Sequence, residues 1–189
     1  DWPYERAPLA EVSGAGWAEV ARRVKPAGTL LLAGLNHAGG QGVSAYSQRE
    51  LWAPSRVPEV NTREVPKWME LADIAAVVDG FARAAEIAVE SGCDGVEINA
   101  GQHSLIRQFL SGLTNHRSDQ YAQRTALLIE VLTRVRACVG DGIVALRLCV
   151  DELAPWAGIT PPEAIEFATE LGPLVDLLTC VRGSIYSVG

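Results

Sequence analysis

The chain has 189 residues, 48% of them apolar and 21% charged, and carries a net charge of −7. That size and balance describe one globular domain, or part of one, with a core of its own rather than a disordered chain. The acid excess excludes a general affinity for nucleic acid or an anionic membrane, since both need clustered Lys and Arg.

The chain opens on Asp1-Trp2-Pro3-Tyr4, with no signal-peptide pattern and no initiator Met, so a cytoplasmic protein with residues upstream is expected. No run reaches the ~20 apolar residues of a membrane span. Trp17, Val20, Ala21 and Val24 recur at the spacing of one helix face. Thr29 to Asn36 is a nearly unbroken apolar run, the pattern of a parallel strand covered on both faces. Residues 39–70 then show no period and hold Pro54, Pro58 and Pro66 with Tyr46, Trp52 and Trp68. Connections that long are usually functional, and these aromatics predict an ordered loop packed over the mouth of the domain.

Asp73 to Glu90 returns to helical spacing, with Ile74, Val77, Val78, Phe81, Ala85 and Ala88 on one stripe and Ser91-Gly92 as its stop. Gly95 to Asn99 is a second strand. Thr125 to Val139 is a helix with Leu128, Val131, Leu132 and Val135 inward, and Ile143 to Val150 a third strand. Thr160-Pro161-Pro162-Glu163 has the spacing of a capping box and starts a helix bearing Ile165, Ala168 and Leu171. Val175 to Val181 is the last strand.

Strands joined by helices make an α/β fold. No G-x-G-x-x-G follows any strand, which disfavours a dinucleotide-binding sheet and leaves a (β/α)8 TIM barrel, of which these four parallel strands are half. A single partial barrel domain over residues 1–189 is therefore expected. Cys93, Cys138, Cys149 and Cys180 lie far apart, with no C-x-x-C pair; they read as small buried hydrophobes in a reducing compartment, and no metal site is expected.

In such barrels chemistry sits at the C-terminal ends of the strands. The polar residues gather there: Asn36-His37 with Gln41; Asn99 with Gln102-His103-Ser104; Arg147 with Asp151-Glu152; and Arg182 with Ser184.

The block from Asp94 to Ser111 resembles, without a gap, the D-G-V-E-I-H-A-A-H-G-Y-L-L-x-Q-F-L-S segment of the Old Yellow Enzyme and 2,4-dienoyl-CoA reductase family of NADH:flavin oxidoreductases. Asn115 to Tyr121 is similar to its N-x-R-x-D-x-Y, Ala145 to Glu152 to its G-x-R-x-S-x-D-E, and Leu35 to Gly39 to its Q-L-x-H-A-G-R. The resemblance runs from Leu30 to Ser184. Phrases such as Leu-Asn-His-Ala-Gly-Gly-Gln-Gly look closest to the mycofactocin-associated branch. It implies FMN at the barrel mouth, reduced by NADH or NADPH, and reduction of an activated C=C bond in a small-molecule substrate.

Transferred residue by residue, the resemblance implies that Arg147 contacts the flavin ring. The family Gln at the flavin's pyrimidine edge falls on Gly34, and Asn36, on the same strand face, is its expected substitute. The substrate-oxygen donors fall on Asn99 and Gln102, two neutral amides in place of a charged imidazolium. The proton-donating Tyr falls on Ser104, too weak an acid for that work, and His103, standing where the family has Gly, becomes a candidate acid or ligand contact. His37 reads as a structural loop holder, and Glu97 as a partner for a polar group on a neighbouring strand. The family's first two and last two strands have no counterpart here. FMN binding by the chain alone is therefore expected to be poor, and self-association through open sheet edges is expected. Two readings follow: part of an FMN-dependent oxidoreductase, or a non-catalytic half barrel serving as an interaction unit.

Overall fold

The computed structural model describes residues 9–185. Helix α1 (Leu9–Val24) leads to strand β1 (Leu32–Leu35), and the following connection holds a short helix α2 (Ser44–Ser47) and two short strands, β2 (Trp52–Ala53) and β3 (Lys67–Trp68). Then come α3 (Leu71–Glu90), β4 (Gly95–Ala100), α4 (Leu105–Leu110), α5 (Ala126–Val139), β5 (Ile143–Asp151), α6 (Pro161–Leu171) and β6 (Leu177–Arg182).

The four longer strands form one parallel sheet in the order β1-β4-β5-β6. Helices bridge successive neighbours, as parallel pairing demands. Val96, Ile98 and Ala100 of β4 and Val144, Leu146 and Leu148 of β5 point to the helical side. There they join Ile74, Val77 and Phe81 of α3, Leu128, Val131 and Leu132 of α5, and Phe167 and Leu171 of α6 in one core. Burying each such aliphatic side chain contributes about 1.5–3 kcal/mol.

Helix starts are fixed locally. Thr160 and Glu163 form the reciprocal capping box expected from their spacing. Glu70 and Asp73 form a second at the start of α3, which the sequence reading did not anticipate because Glu is an uncommon cap residue. Strand starts are fixed too: Asp94 Oδ2 accepts from the Leu31 amide at 2.8 Å, and Asp176 Oδ2 accepts from the Val144 amide at 2.8 Å.

Several expectations need correction. The apolar runs do not mark strands covered on both faces: the side of the sheet away from the helices is partly open, with Gly34 and Leu177 exposed. The stripe of α6 is Ala164, Phe167 and Leu171. Ile165, one step around the helix from Ala164, is 68% exposed. Val20 of α1 also faces solvent, and only Ala21 of its predicted stripe is fully buried. Of the four free thiols, Cys93 and Cys149 are buried, whereas Cys138 and Cys180 are exposed, the latter because it lies on the sheet's edge strand. Burial pushes the Cys149 thiol up to about 11, leaving it unreactive. The long connection after β1 carries β2 and β3, paired in parallel. Arg117 fastens it: its side chain is fully buried, donates to Met69 O at 2.7 Å, lies 4.5 Å from the Trp68 ring centroid and pairs with Asp119. No helix among the described residues is long and apolar enough to cross a membrane.

Candidate active site

The open face of the sheet carries a polar row at the C-terminal ends of its strands. Asn99 of β4 lies level with Arg147 of β5, and Arg147 with Thr179 of β6. Asn36, just past β1, reaches the same row, because Asn99 Nδ2 donates to Asn36 Oδ1 at 3.1 Å. One step deeper stand Gly34, Glu97 and Ala145. The period of two along each strand places these residues on one face, and the parallel register places them at one height.

Arg147 is half-buried. Its Nε donates to Glu97 Oε1 at 2.9 Å, and Thr179 Oγ1 donates to the other Glu97 oxygen at 3.3 Å. Glu97 is thus the interstrand partner expected of it. The Arg147 Nη groups bond to no described residue and remain available to a ligand at the mouth. At Gly34 a Cβ would meet nothing within 4 Å, so a side chain is missing there from space that could hold one.

The turn from Gly101 to His103 crosses the row. Asn99 Oδ1 accepts from the Gly101 amide at 2.8 Å, and Asn99 Nδ2 also donates to Gln102 O at 3.4 Å, so both amide hydrogens of Asn99 are engaged within the protein. Gln102 Nε2 donates to Arg182 O at 2.8 Å, tying the turn to the end of β6 and leaving one N–H free to donate. His103 is exposed and has φ of 51°, a left-handed conformation that His adopts far less readily than Gly.

Ser104 is fully buried. Its hydroxyl donates to Asn99 O at 2.5 Å and caps α4 by accepting from Ile106 and Arg107 amides, a local structural task with no proton to offer at the rim. His37 Nδ1 accepts from the Gly39 amide at 3.0 Å and its ring stacks on Trp52 at 6.3 Å, in keeping with a loop holder. Asp151 stays at the strand end, paired with Arg182 at 3.0 Å. Glu152, by contrast, points inward to Arg107 and lies off the rim. Among the described residues no group of three His, Cys, Asp or Glu could hold a metal ion.

The profile of the NADH:flavin oxidoreductase / NADH oxidase family matches residues 11–188. The chain belongs to this family. Family members use FMN with NADH or NADPH as reductant. The chain is 32% identical over 177 residues to an NADPH dehydrogenase of Bacillus subtilis, an alignment covering 90% of this chain and 50% of that protein. It superposes on the Old Yellow Enzyme homologue of Zymomonas mobilis with a TM-score of 0.80 and 28% identity, over 91% of this chain and 53% of that one. On morphinone reductase in complex with tetrahydroNAD the TM-score is 0.79 at 25% identity, over 88% and 53% of the two chains. The chain thus spans about half the length of these relatives, which are barrels of the Old Yellow Enzyme type.

Within this flavin oxidoreductase fold the structure brings Asn36, Asn99, Gln102, His103 and Arg147 to one rim, with Gly34 beside them. What sequence reasoning missed lies beneath it. Arg107 on α4 is fully buried, pairs with Glu152 and donates to Gln41 Oε1 at 3.0 Å. An Arg in a helix whose other residues are Leu, Ile, Phe and one Gln was the available signal, since such a charge is buried only when paired.

Proposed function

We propose that the chain forms part of the active-site rim of an FMN-dependent oxidoreductase that takes electrons from NADH or NADPH and reduces an activated C=C bond of a small-molecule substrate. The observation that carries this reading is the shared row of Asn36, Asn99 and Arg147 on the open, polar face of the sheet. The residues present fit one edge of a flavin: Arg147 offers free donors, and the space at Gly34 admits a flat ring close to the backbone.

Bound FMN supplies the hydride carrier between nicotinamide and substrate. Arg147 holds the ring edge with a fixed positive charge, which favours negative charge there, while Glu97 aims the guanidinium through its Nε. Gln102 has an amide N–H to orient the substrate's carbonyl oxygen. Asn99 can join it by giving up its longer bond, the one at 3.4 Å to Gln102 O. His103, exposed beside them, is the imidazole placed to contact the substrate or to act as its acid. The thiols of the chain are all free, as suits a cytoplasmic setting. The edge strands β1 and β6, with Leu177 and Leu178 exposed, favour self-association of the chain as it stands.

The test is flavin absorbance of the protein purified from the longest reading frame that carries this chain, followed by anaerobic addition of NADH or NADPH. Bleaching of a yellow protein, and its reversal by an activated enone, is the expected result. A protein that binds no FMN when supplied with it would sink the reading. The alternative, a non-catalytic half barrel acting as an interaction unit, is favoured by one observation, the engagement of both Asn99 amide hydrogens within the protein.

A further inference from the structure

Asn36 was expected to touch the cofactor in place of the side chain absent at Gly34, yet both ends of its amide are already engaged. Its Oδ1 accepts from Asn99 Nδ2 at 3.1 Å and its Nδ2 donates to His103 O at 3.2 Å. Each residue of the turn is held by one of these two asparagines: the Gly101 amide and Gln102 carbonyl by Asn99, and the His103 carbonyl by Asn36. Immediately beyond, the Leu105 amide donates to His37 O at 2.6 Å, so the end of β1 runs alongside the turn and its cap. The held turn includes a strained residue, His103 with φ of 51°. An L side chain crowds the backbone in that conformation, and glycine does not. Strain of this kind persists only where the surroundings impose it.

We propose that Asn36 is a positioning residue: its amide locks His103, the last residue of the Gly101–His103 turn, in its left-handed conformation and thereby fixes the imidazole at the mouth of the site. The idea rests on the rim being the active site, but its structural half can be read without flavin. Asn36 ties β1 to the turn, Gln102 ties the turn to β6 through Arg182 O, and the turn's exposed side chains are held between two strands that are not neighbours.

The experiment compares the full chain with Asn36→Ala, Asn36→Asp, His103→Gly and the double variant Asn36→Ala/His103→Gly by backbone and imidazole NMR, with FMN affinity measured in parallel by fluorescence quenching. Three histidines make the His103 ring resonance easy to assign. Asn36→Asp keeps the acceptor for Asn99 but loses the donor to His103 O. Both single changes at Asn36 are expected to shift and broaden the amide signals of Gly101, Gln102 and His103 and to average the His103 ring signal. In the His103→Gly background the alanine change leaves the Gly101 and Gln102 signals near their places, because glycine holds the conformation unaided. An unmoved turn in Asn36→Ala, or wild-type behaviour of Asn36→Asp, overturns the proposal. Weaker FMN binding with an unmoved turn overturns it too and makes Asn36 a direct contact. If the longest reading frame that carries the wild-type chain binds no FMN, the functional reading fails while the NMR result on the chain still decides the turn.

Discussion

Arg107 and Glu152, both sealed from solvent, form an ion pair that joins α4 to the residue just beyond β5. The carboxylate also accepts from Ser111 Oγ at 2.5 Å and from the Ile159 amide at 2.7 Å, so three segments converge on one side chain. Glu152→Ala leaves Arg107 charged and buried and should destabilise the fold by about 3–5 kcal/mol, measured by urea denaturation. Replacing the pair together, Arg107→Met with Glu152→Leu, should cost much less. Equal losses in the single and double variants would show that the pair is not coupled.

Acid should unfold the protein through the aspartates that start strands. The Leu31 amide, and next to it Lys25, holds the Asp94 carboxyl below the usual aspartate range, and the Val144 amide with Arg136 does the same for Asp176. A lowered folded value means that the charged form is the one the fold favours. This stability is full above the unfolded value of about 3.9 and is lost as pH falls through the lowered values. Asn in place of Asp at either position should flatten the pH dependence of stability below about pH 5, read by denaturation midpoints across an acid series. An unchanged slope would exclude these groups.

Arg147→Ala should weaken FMN binding by about 1.5–3 kcal/mol, the worth of a hydrogen bond to a charged group, or roughly tenfold to a hundredfold in dissociation constant. Glu97→Gln keeps an acceptor for Arg147 Nε but removes a compensating negative charge. It should leave binding within a few-fold and raise the reduction potential of bound flavin, in a spectroelectrochemical titration.

Gly34→Gln should be tolerated. No atom stands within 4 Å of the added Cβ, and a strand interior favours any side chain over glycine. Stability should stay within about 0.5 kcal/mol of wild type or rise, and FMN affinity should increase if the added amide meets the ring. A large loss of stability would mean that the space is not free.

The helical side of the sheet was legible because its rules are local. Val96 and Ile98 marked β4, the largely apolar run from Ile143 to Val150 marked β5, and the Thr160-to-Glu163 spacing marked the cap of α6. Ile165 misled because periodicity fixes a stripe only to within one position, and the tie is broken by tertiary contacts. At the rim, residue identities were readable but their bonds were not. Asn36 and His103 lie 67 positions apart, and neither the strained φ of His103 nor the capping task of Ser104 is written in the neighbouring sequence. The Arg107–Glu152 pair was hidden for the same reason, since a strand, a helix and two loops intervene.

The division between the two faces of the sheet bears on how this protein can diverge. Cohesion comes from the aliphatic layer under the helices, whereas positions 34, 36, 99, 102 and 103 project elsewhere and hold little of it. Lineages can therefore exchange residues around the mouth while the scaffold tolerates the change. An amide pair, a histidine in a glycine's place and an absent glutamine are the sort of drift such an arrangement permits.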